Sequence, residues 1–352
     1  GIGALPLTWR GADAEGPARV CIVAEIGVNH DGDAGRAAAL IDAAAQAGAD
    51  AVKFQYFHPD RLLSNQAELA GYQQGQAASQ RDLLAGLALS LDTIGRLGER
   101  ARAAGLGFVV TPFSPADVDE LAGLGPGVGL SAVKTASPDA VNTPLLERVF
   151  GLGLPVLLST GTCTLDELGP AAALLRGHAA GGVMLHCVSS YPTPPRQAGL
   201  GGMSAIAQAF EVPVGYSDHT VLTRTGALAA AAGAVVLEKH LTHDTKATGP
   251  DHAASLGPRD FAAYVRHVRE AEQMFGPATK HVSPTEQDVR RVSRQSVCVV
   301  RDLPAGHVLT AEDLTVKRPG TGVPAAELGS VIGRTLTRGV SANDLLDSDA
   351  LG

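Results

Sequence analysis

Short hydrophobic runs, bounded by glycine, proline and polar residues, recur along most of the chain. Each contains four or five residues, mostly apolar or β-branched, which is typical of buried strands. The eight runs are Val20–Ala24, Ala51–Phe54, Gly107–Val110, Ser131–Lys134, Pro155–Leu158, Val183–Cys187, Pro213–Tyr216 and Ala234–Glu238.

Alanine-rich segments lie between these runs and show helical patterns. The clearest are 36–48, 91–105 and 164–175. The first two end in glycine, which is common just past the end of a helix. Strand–helix alternation repeated eight times over about 250 residues predicts an α/β fold, the (β/α)8 or TIM barrel. A doubly wound open sheet is the alternative.

The carboxyl ends of the predicted strands are polar, although their interiors are apolar. TIM-barrel enzymes carry their chemistry at these ends, whereas a surface strand alternates polar and apolar residues along its length. We therefore expect these side chains to converge on one active site. They include Glu25, Lys53, Gln55, Lys134, Ser137, Ser159, Ser189, Ser217, His219, Glu238 and His240.

Two lysines, Lys53 and Lys134, are expected at the ends of the second and fourth strands. Two cations at one barrel mouth indicate an anionic substrate, and the four serines would add donors for phosphate or carboxylate oxygens. Taken singly, each serine is equally well explained as a strand-end or helix-capping residue. The carboxylates Glu25 and Asp139 are candidates for acid–base chemistry, with capping or a salt bridge as the alternative.

Two histidines, His219 and His240, end the seventh and eighth strands, which are neighbours in a barrel. Their imidazoles are placed to share a divalent cation, Mn²⁺ first and Mg²⁺ or Co²⁺ as alternatives, with open positions for substrate. Zinc normally recruits a third protein ligand. Glu238 is assigned to the opposite face of the strand from His240, which disfavours zinc. His186, inside an apolar run, is predicted to be a buried barrel residue.

Composition narrows the classes of function. The 352 residues have a formal net charge of −8 and no cluster of basic residues, which argues against a nucleic-acid partner. The longest apolar stretch, 226–237, is too short to cross a bilayer, and residues 1–19 lack the apolar core of an export signal. The four cysteines have no CxxC spacing and indicate reduced thiols, so a cytoplasmic location is expected.

The sequence changes character beyond the last barrel helix. Residues 276–294 contain two prolines and many charges without a clear apolar period, as a linker would. We therefore predict a barrel domain at 20–275, a linker at 276–294, a small second domain at 295–352 and an N-terminal extension at 1–19. A domain of about 60 residues has only a small core, so we expect it to pack on another surface.

Twelve longer motifs follow one another along the chain. They are AEIGVNH at 24–30, AGADAVKFQ at 47–55, TPF at 111–113, VKTAS at 133–137, LSTG at 158–161, LHCVSSYPTP at 185–194, LGGM at 200–203, GYSDHT at 215–220, LEKHLT at 237–242, GPD at 249–251, VKRPGTG at 316–322 and IGRTLTRGV at 332–340. Together they resemble the sialic acid synthases, which condense phosphoenolpyruvate with an N-acylated aldose. The last two are similar to the antifreeze-like (SAF) domain at the C-terminus of that family.

The resemblance implies a mechanism. Family members bind phosphoenolpyruvate with residues that match the two lysines and the four serines. A metal held by matches of His219 and His240 polarises the open-chain aldehyde, and C3 of phosphoenolpyruvate attacks it. Water then adds at C2, and phosphate leaves by C–O cleavage. Glu25 matches the carboxylate near the metal and the reacting centre.

The resemblance also implies how the sugar is held. Gln55, Tyr191, Asp139 and Asp251 match the family's sugar-binding positions. In the family's domain-swapped homodimer, an arginine from the partner's antifreeze-like domain contacts the N-acyl group, and Arg318 occupies that motif.

Three positions depart from the family pattern. Asp139 stands where many members have glutamate, Ser189 stands where some have asparagine, and 293–296 reads SRQS where an Arg-Arg-Ser run is common. None removes a lysine or a metal ligand. The sugar stays open among N-acetylmannosamine, its 6-phosphate and the 2,4-diacetamido-trideoxy hexoses, and the glutamine-rich loop 59–80 is a further candidate for the pocket.

Three other functions compete with this one. A pyruvate lyase would use a strand-end lysine as a Schiff base, but phosphate-binding partners around both lysines favour an electrostatic role. A related phosphoenolpyruvate-dependent synthase would act on a different or phosphorylated sugar, and the antifreeze-like tail argues against versions that lack one. An ice- or glycan-binding module on an inactive barrel conflicts with intact lysines and histidines.

Overall fold

The structure is a computed structural model that describes residues 19–64, 66–67, 79–124, 129–276 and 279–352. The predicted N-terminal extension, apart from Arg19, lies outside the described residues, as do residue 65 and residues 68–78 of the glutamine-rich loop. The described residues form two compact units, one up to residue 276 and one from residue 279.

The first unit contains a closed barrel of eight parallel strands. They are β1 (Cys21–Gly27), β2 (Ala51–Tyr56), β3 (Gly107–Pro112), β4 (Leu130–Thr135), β5 (Val156–Ser159), β6 (Gly182–Cys187), β7 (Val214–Asp218) and β8 (Val236–His240). Each strand pairs with the next along the chain, and β8 pairs with β1 to close the barrel. The predicted TIM barrel is confirmed, and the open sheet is excluded.

Helices follow the strands and surround the barrel. They are α1 (Ala34–Ala47), α2 (Pro59–Leu62), α3 (Gln80–Leu87), α4 (Leu91–Ala103), α5 (Pro115–Ala122), α6 (Thr143–Gly151), α7 (Leu165–Arg176), α8 (Gly201–Phe210), α9 (Thr225–Ala231) and α10 (Pro258–Phe275). Polar caps set several starts: the side chains of Asp33, Ser90 and Ser114 accept hydrogen bonds from first-turn backbone N–H groups. The three clearest predicted helices correspond to α1, α4 and α7.

Alternation of side chains along each strand builds both the core and the site. Inward-facing apolar residues form one buried cluster inside the barrel: Cys21, Val23, Ala51, Val109, Ala132, Leu157, Val183, Leu185 and Val236. The opposite faces pack against the helices in a separate, larger core. Because the side-chain period is two, Val23 is followed on its inner face by Glu25, and Ala132 by Lys134. The next inward layer is therefore the polar one.

The second unit is a small hydrophobic core wrapped by loops. Its regular elements are α11 (Gln287–Ser293), the antiparallel strands β9 (Ser296–Val299) and β10 (Leu314–Lys317), and α12 (Leu328–Val331). The segment predicted as a linker, 276–294, therefore contains a helix in its second half. No helix among the described residues is long and apolar enough to span a membrane.

Candidate active site

The carboxyl ends of the barrel strands open into a cavity of about 540 Å³. The predicted site residues of the barrel all line it: Glu25, Lys53, Gln55, Lys134, Ser137, Asp139, Ser159, Ser189, Tyr191, Ser217, His219, His240 and Asp251. Arg318 lies just beyond β10 in the second unit and is exposed. Its contact with the sugar stays a prediction.

Four charged side chains form a buried cluster at the base of the cavity, which we call the charge cluster: Lys53, Lys134, Glu25 and Glu238. Lys53 Nζ lies 2.6 Å from Glu25 Oε2 and 3.9 Å from Glu238 Oε2. Lys134 Nζ lies 3.9 Å from the same Glu238 oxygen. All four are nearly inaccessible to solvent. Paired charges of this kind avoid the full penalty of burying an isolated ion.

The pKa values within the charge cluster shift in different directions. Burial lowers the pKa of Lys134, and the Glu238 carboxylate opposes this only in part. Burial acts on Lys53 as well, but the carboxylates of Glu25 and Glu238 outweigh it and raise its pKa. For Glu25, burial raises the pKa to about 6 against the pull of Lys53. Glu25 is thus a carboxylate that can exchange a proton near neutral pH.

The prediction that Glu238 points away from His240 is wrong. The two residues are two apart in β8, so strand alternation puts them on one face, and both line the cavity. Glu238 Oε1 accepts a hydrogen bond from Ser217 Oγ at 2.8 Å. The period of two, correctly applied, identifies Glu238 as the fourth member of the charge cluster.

Hydroxyl groups occupy the side of the mouth that follows β4 to β7. Lys134 Nζ donates to Ser159 Oγ at 2.6 Å, and Gly161 N donates to Ser137 Oγ at 3.0 Å. A Cβ added at Gly161 would lie 2.4 Å from Ser189 Oγ and 2.8 Å from Ser137 Oγ. The hydroxyls therefore close around a position that only glycine can occupy without displacing them.

His219 and His240 stand side by side, with ring centroids 5.3 Å apart, and the Tyr191 ring lies 4.1 Å from that of His219. His219 Nδ1 donates to the Val188 carbonyl at 2.8 Å, and its Nε2 lies 3.5 Å from Ser217 Oγ. Burial lowers the pKa of His240 well below its usual value, so this imidazole stays neutral. Its Nδ1 is buried without a hydrogen-bond partner among the described residues, 3.6 Å from Asp251 Oδ2. This donor set fits a divalent cation.

A three-residue group with metal-ligand spacing lies elsewhere in the described residues, at His58, Asp117 and Glu120. Arg61 already binds both of its carboxylates, through Nη1 to Asp117 at 2.9 Å and through Nη2 to Glu120 at 2.5 Å. A guanidinium in this position opposes a second cation. We therefore assign the group to anchoring α2 against α5.

The carboxylates of Glu25, Asp139 and Asp251 also face the cavity. Gln55 Nε2 donates to Glu25 Oε1 at 3.0 Å and fixes its orientation. Asp139 Oδ1 accepts from Asn142 Nδ2 at 2.9 Å. Burial raises the pKa of Asp139 and of Asp251. These groups can accept hydrogen bonds from sugar hydroxyl or amide groups.

The loops after β1 and β8 are tied together, a feature that the sequence did not indicate. Asn29 Nδ2 donates to Ser255 Oγ at 2.8 Å, and His252 Nε2 donates to Asp31 Oδ1 at 2.8 Å. Ser255 Oγ in turn donates to the Asp251 carbonyl at 2.6 Å. The network fixes the loop that carries Asp251 into the cavity.

His186 is not a buried barrel residue as predicted. It is half-buried, and its ring stacks on Tyr216 at 5.9 Å between centroids. A Cβ added at Gly202 would lie 2.6 Å from the imidazole, so His186 packs on the start of α8 outside the barrel. Strand alternation again gives the reason, because the inward neighbours are Leu185 and Cys187.

Comparisons with known proteins identify the family of this chain. The NeuB family model matches residues 40–280, and the SAF domain model matches residues 294–351. The N,N′-diacetyllegionaminic acid synthase of Legionella pneumophila is 37% identical over 345 residues, covering 96% of each chain. The N-acetylneuraminate-9-phosphate synthase of Homo sapiens is 30% identical over 92% of this chain and 90% of its own.

A solved structure shares both fold and sequence. The crystal structure of N-acetylneuraminic acid (sialic acid) synthetase from Leptospira borgpetersenii, in complex with citrate, superposes with a TM-score of 0.68 at 31% identity. The match covers 77% of this chain and 90% of that one. The resemblance drawn from the motifs is confirmed: the chain belongs to the NeuB family and carries a SAF domain.

Proposed function

We propose that this enzyme condenses phosphoenolpyruvate with an N-acylated aldose, giving a nonulosonic acid and inorganic phosphate. The observation that carries the proposal is the charge cluster, which adjoins four serine hydroxyls and two histidines in one cavity. The relatives' names, N,N′-diacetyllegionaminic acid synthase and N-acetylneuraminate-9-phosphate synthase, support the same chemistry.

Phosphoenolpyruvate would bind at the charge cluster and the hydroxyl side of the mouth. Lys53 and Lys134 would neutralise its phosphate and carboxylate, and hydroxyl donors would fix the oxygens. The serines that serve this purpose are Ser137, Ser159, Ser189 and Ser217. Because the lysines are already held by carboxylates, they are oriented before the substrate arrives.

His219 and His240 would hold a divalent cation, for which Mn²⁺ is the first candidate and Mg²⁺ or Co²⁺ are alternatives. When bound, the cation would polarise the aldehyde oxygen of the open-chain sugar as a Lewis acid. The Nδ1 of His240, which has no hydrogen-bond partner among the described residues, supports this assignment, and His219 Nε2 would give up only a long contact, 3.5 Å to Ser217 Oγ.

The reaction forms a C–C bond between C3 of phosphoenolpyruvate and the aldehyde carbon. The aldehyde oxygen takes up a proton and becomes a hydroxyl group. Water adds at C2 and loses one proton; the C–O bond to phosphate then breaks with the electron pair leaving on phosphate, while the new C2 hydroxyl loses its remaining proton and becomes the keto group. We assign Glu25 to the removal of the first proton from the water, because burial raises its pKa to about 6 and Gln55 fixes its Oε1. Gln55, Asp139, Tyr191 and Asp251 would hold the sugar.

The active form in this proposal is a domain-swapped homodimer in the cytoplasm, in which Arg318 of the SAF domain contacts the N-acyl group of the sugar bound by the other protomer. The four free cysteines are consistent with that compartment. Sedimentation of the full chain is expected to show a dimer. An Arg318→Ala variant that keeps the wild-type KM for the sugar would contradict this role.

Phosphate release from phosphoenolpyruvate with Mn²⁺, across a panel of N-acylated aldoses and their 6-phosphates, tests the function. We expect aldose-dependent release that a chelator abolishes, and loss of turnover in folded His219→Ala and His240→Ala variants. His281→Ala, an exposed histidine of the second unit, is the matched control. Undiminished turnover with chelator would exclude the metal assignment. A borohydride-trapped pyruvate adduct on Lys53 or Lys134 would favour the lyase.

A further inference from the structure

A buried ion pair lies behind the two histidines, on the reverse face of the strands that lead to them. Asp218 precedes His219 and Lys239 precedes His240 in the chain. Because side chains alternate along a strand, the histidines line the cavity and their two neighbours face the helices. Lys239 Nζ lies 3.5 Å from Asp218 Oδ1, and neither side chain is accessible to solvent. We call Lys239 and Asp218 the rear ion pair.

The rear ion pair occupies an apolar layer. Leu237 and Leu241, two residues before and after Lys239, belong to the core between the barrel and the helices. Lys239 Nζ lies 5.7 Å from the centre of the Tyr264 ring on α10. Replacing a buried ion pair by apolar side chains of similar size is often neutral or stabilising. The stability of the fold alone therefore does not account for a lysine at this position.

The ammonium group of Lys239 fixes the backbone on both sides of His219. It donates hydrogen bonds to the carbonyl of Asp218, at 3.3 Å, and to the carbonyl of Thr220. Asp218 Oδ1 in turn accepts a hydrogen bond from Thr220 N at 2.9 Å. The Thr220 hydroxyl lies 2.9 Å from that of Thr225, so this segment is also tied to the start of α9.

The backbone of His219 depends on this support more than that of His240 does. The ladder between β7 and β8 ends with the pair Asp218 and Lys239, so both histidines lie one residue beyond it. His240 is still paired with Glu25 of β1, whereas His219 lies past the end of β7. Lys239 is joined to His240 by one peptide bond and to the backbone around His219 by hydrogen bonds. One side chain therefore links the positions of the two histidines.

Resting on the proposed function, we propose that Lys239 and Asp218 are positioning residues for the divalent cation. They set the separation of the two imidazoles, whose ring centroids are 5.3 Å apart. The Val188 carbonyl orients the His219 ring, and the rear ion pair places the backbone that carries it. Ligands held in this way lose little freedom when the cation binds, so loss of the rear ion pair weakens binding.

Lys239→Met tests the proposal through metal binding alone. Mn²⁺ is titrated into the protein without substrate, and free Mn²⁺ is followed by electron paramagnetic resonance. We expect Kd for Mn²⁺ to rise about 10- to 100-fold, the range for residues that support metal ligands. Phosphate release should need correspondingly more Mn²⁺ for its half-maximal rate, and excess Mn²⁺ should restore most of kcat. A role in folding alone would not move the dependence on Mn²⁺.

A second variant separates positioning from folding, because Lys239→Met leaves the Asp218 carboxylate buried without its counter-ion. Lys239→Met/Asp218→Asn removes that charge. It should recover most of the Tm lost by the single variant and keep its weak Mn²⁺ binding. Arg269→Met is the matched control, since the ion pair of Arg269 with Asp50 is also largely buried but lies just before β2, outside the cavity. This control should lower Tm and leave Kd for Mn²⁺ unchanged.

Mn²⁺ binding and phosphate release distinguish the inference from the proposed function. A wild-type Kd for Mn²⁺ in either folded variant of Lys239 would overturn the inference. An equal loss of affinity in Arg269→Met would do the same, because the effect would then follow general destabilisation. If His219→Ala leaves the Mn²⁺ binding of the protein unchanged, the metal assignment and the inference both fail. The expected Mn²⁺ results without phosphate release from any aldose would overturn the proposed function alone.

Discussion

Lys53→Met is the substitution that tests the charge cluster most directly. Lys53 Nζ is 2.6 Å from Glu25 Oε2, donates to Thr111 Oγ1 at 3.0 Å and lies 3.9 Å from Glu238 Oε2. Methionine has a similar length and no charge. We expect the variant to lose phosphate release and also to lose stability, because two buried carboxylates keep their burial and lose a counter-ion.

The size of the expected loss of stability follows from the burial of the ion pair between Lys53 and Glu25. The side chains of Lys53 and Glu25 are 5% and 1% exposed, so solvent screens them little. Removing one partner of a buried ion pair typically costs about 3–5 kcal/mol. In a domain of about 250 residues, each kcal/mol shifts Tm by about 2–4 °C. The variant should therefore melt about 6–20 °C below the wild type.

The loss of stability in Lys53→Met should grow as the pH rises. Without Lys53 the pKa of Glu25 rises further above its unfolded value, so the folded variant binds more protons than the unfolded chain. A group of this kind stabilises the folded state less as pH rises from the unfolded pKa towards the folded one. The Tm difference from wild type is therefore expected to be larger at pH 8 than at pH 5.5.

Thermal unfolding followed by circular dichroism at one scan rate, with phosphate release measured in parallel, separates stability from chemistry. The double variant Lys53→Met/Glu25→Gln should recover most of the lost Tm without recovering turnover, since it removes the unpaired carboxylate. Lys246→Met, at an exposed position outside the cavity, is the control. A wild-type Tm for Lys53→Met, or a double variant as unstable as the single one, would refute this account of the cluster.

Three further predictions concern the site. Glu25→Gln should lower kcat by about 10²- to 10⁴-fold and flatten the acid limb near pH 6 of the kcat/KM profile, which reports the free enzyme; an unchanged limb would exclude Glu25 as the base. Gly161→Ala places a Cβ 2.4 Å from Ser189 Oγ. We expect it to raise KM for phosphoenolpyruvate about 10- to 100-fold, which corresponds to the loss of one charge-assisted hydrogen bond. Asp31→Asn weakens the hydrogen bond from His252 that fixes the loop of Asp251. We expect it to raise KM for the sugar about 2- to 12-fold, the effect of one hydrogen bond, and to leave KM for phosphoenolpyruvate unchanged as the internal control.

The barrel could be predicted because its signals are local. Parallel strands buried on both faces appear as continuous apolar runs, and their catalytic ends appear as abrupt polarity after each run. Lys53 and Lys134 were identified in this way, and the structure places both in one cavity with the four serines. The family motifs assigned Tyr191 and Asp251, which periodicity alone does not single out.

The errors and omissions have physical reasons too. Glu238 is two residues from His240, so strand alternation puts both on one face, and His186 lies between the inward-facing Leu185 and Cys187; an error of one residue in the count reverses the face in each case. The pair of Asp31 and His252 spans 221 positions, so no local pattern contains it. The cluster of Val28, Phe57, Leu83 and Leu87 was missed because α3 joins the loops after β1 and β2 only when the chain has folded.

The arrangement of the charge cluster also bears on when Glu25 becomes a base. In the described structure Glu25 shares Lys53 at 2.6 Å, and this pairing holds down a pKa that burial raises. A bound phosphate competes for the same ammonium group, because both anions need the donors of Lys53. Loss of the lysine and proximity to a new anion both raise the proton affinity of a carboxylate. Phosphoenolpyruvate binding is therefore expected to make Glu25 more basic at the stage where water must lose a proton at C2.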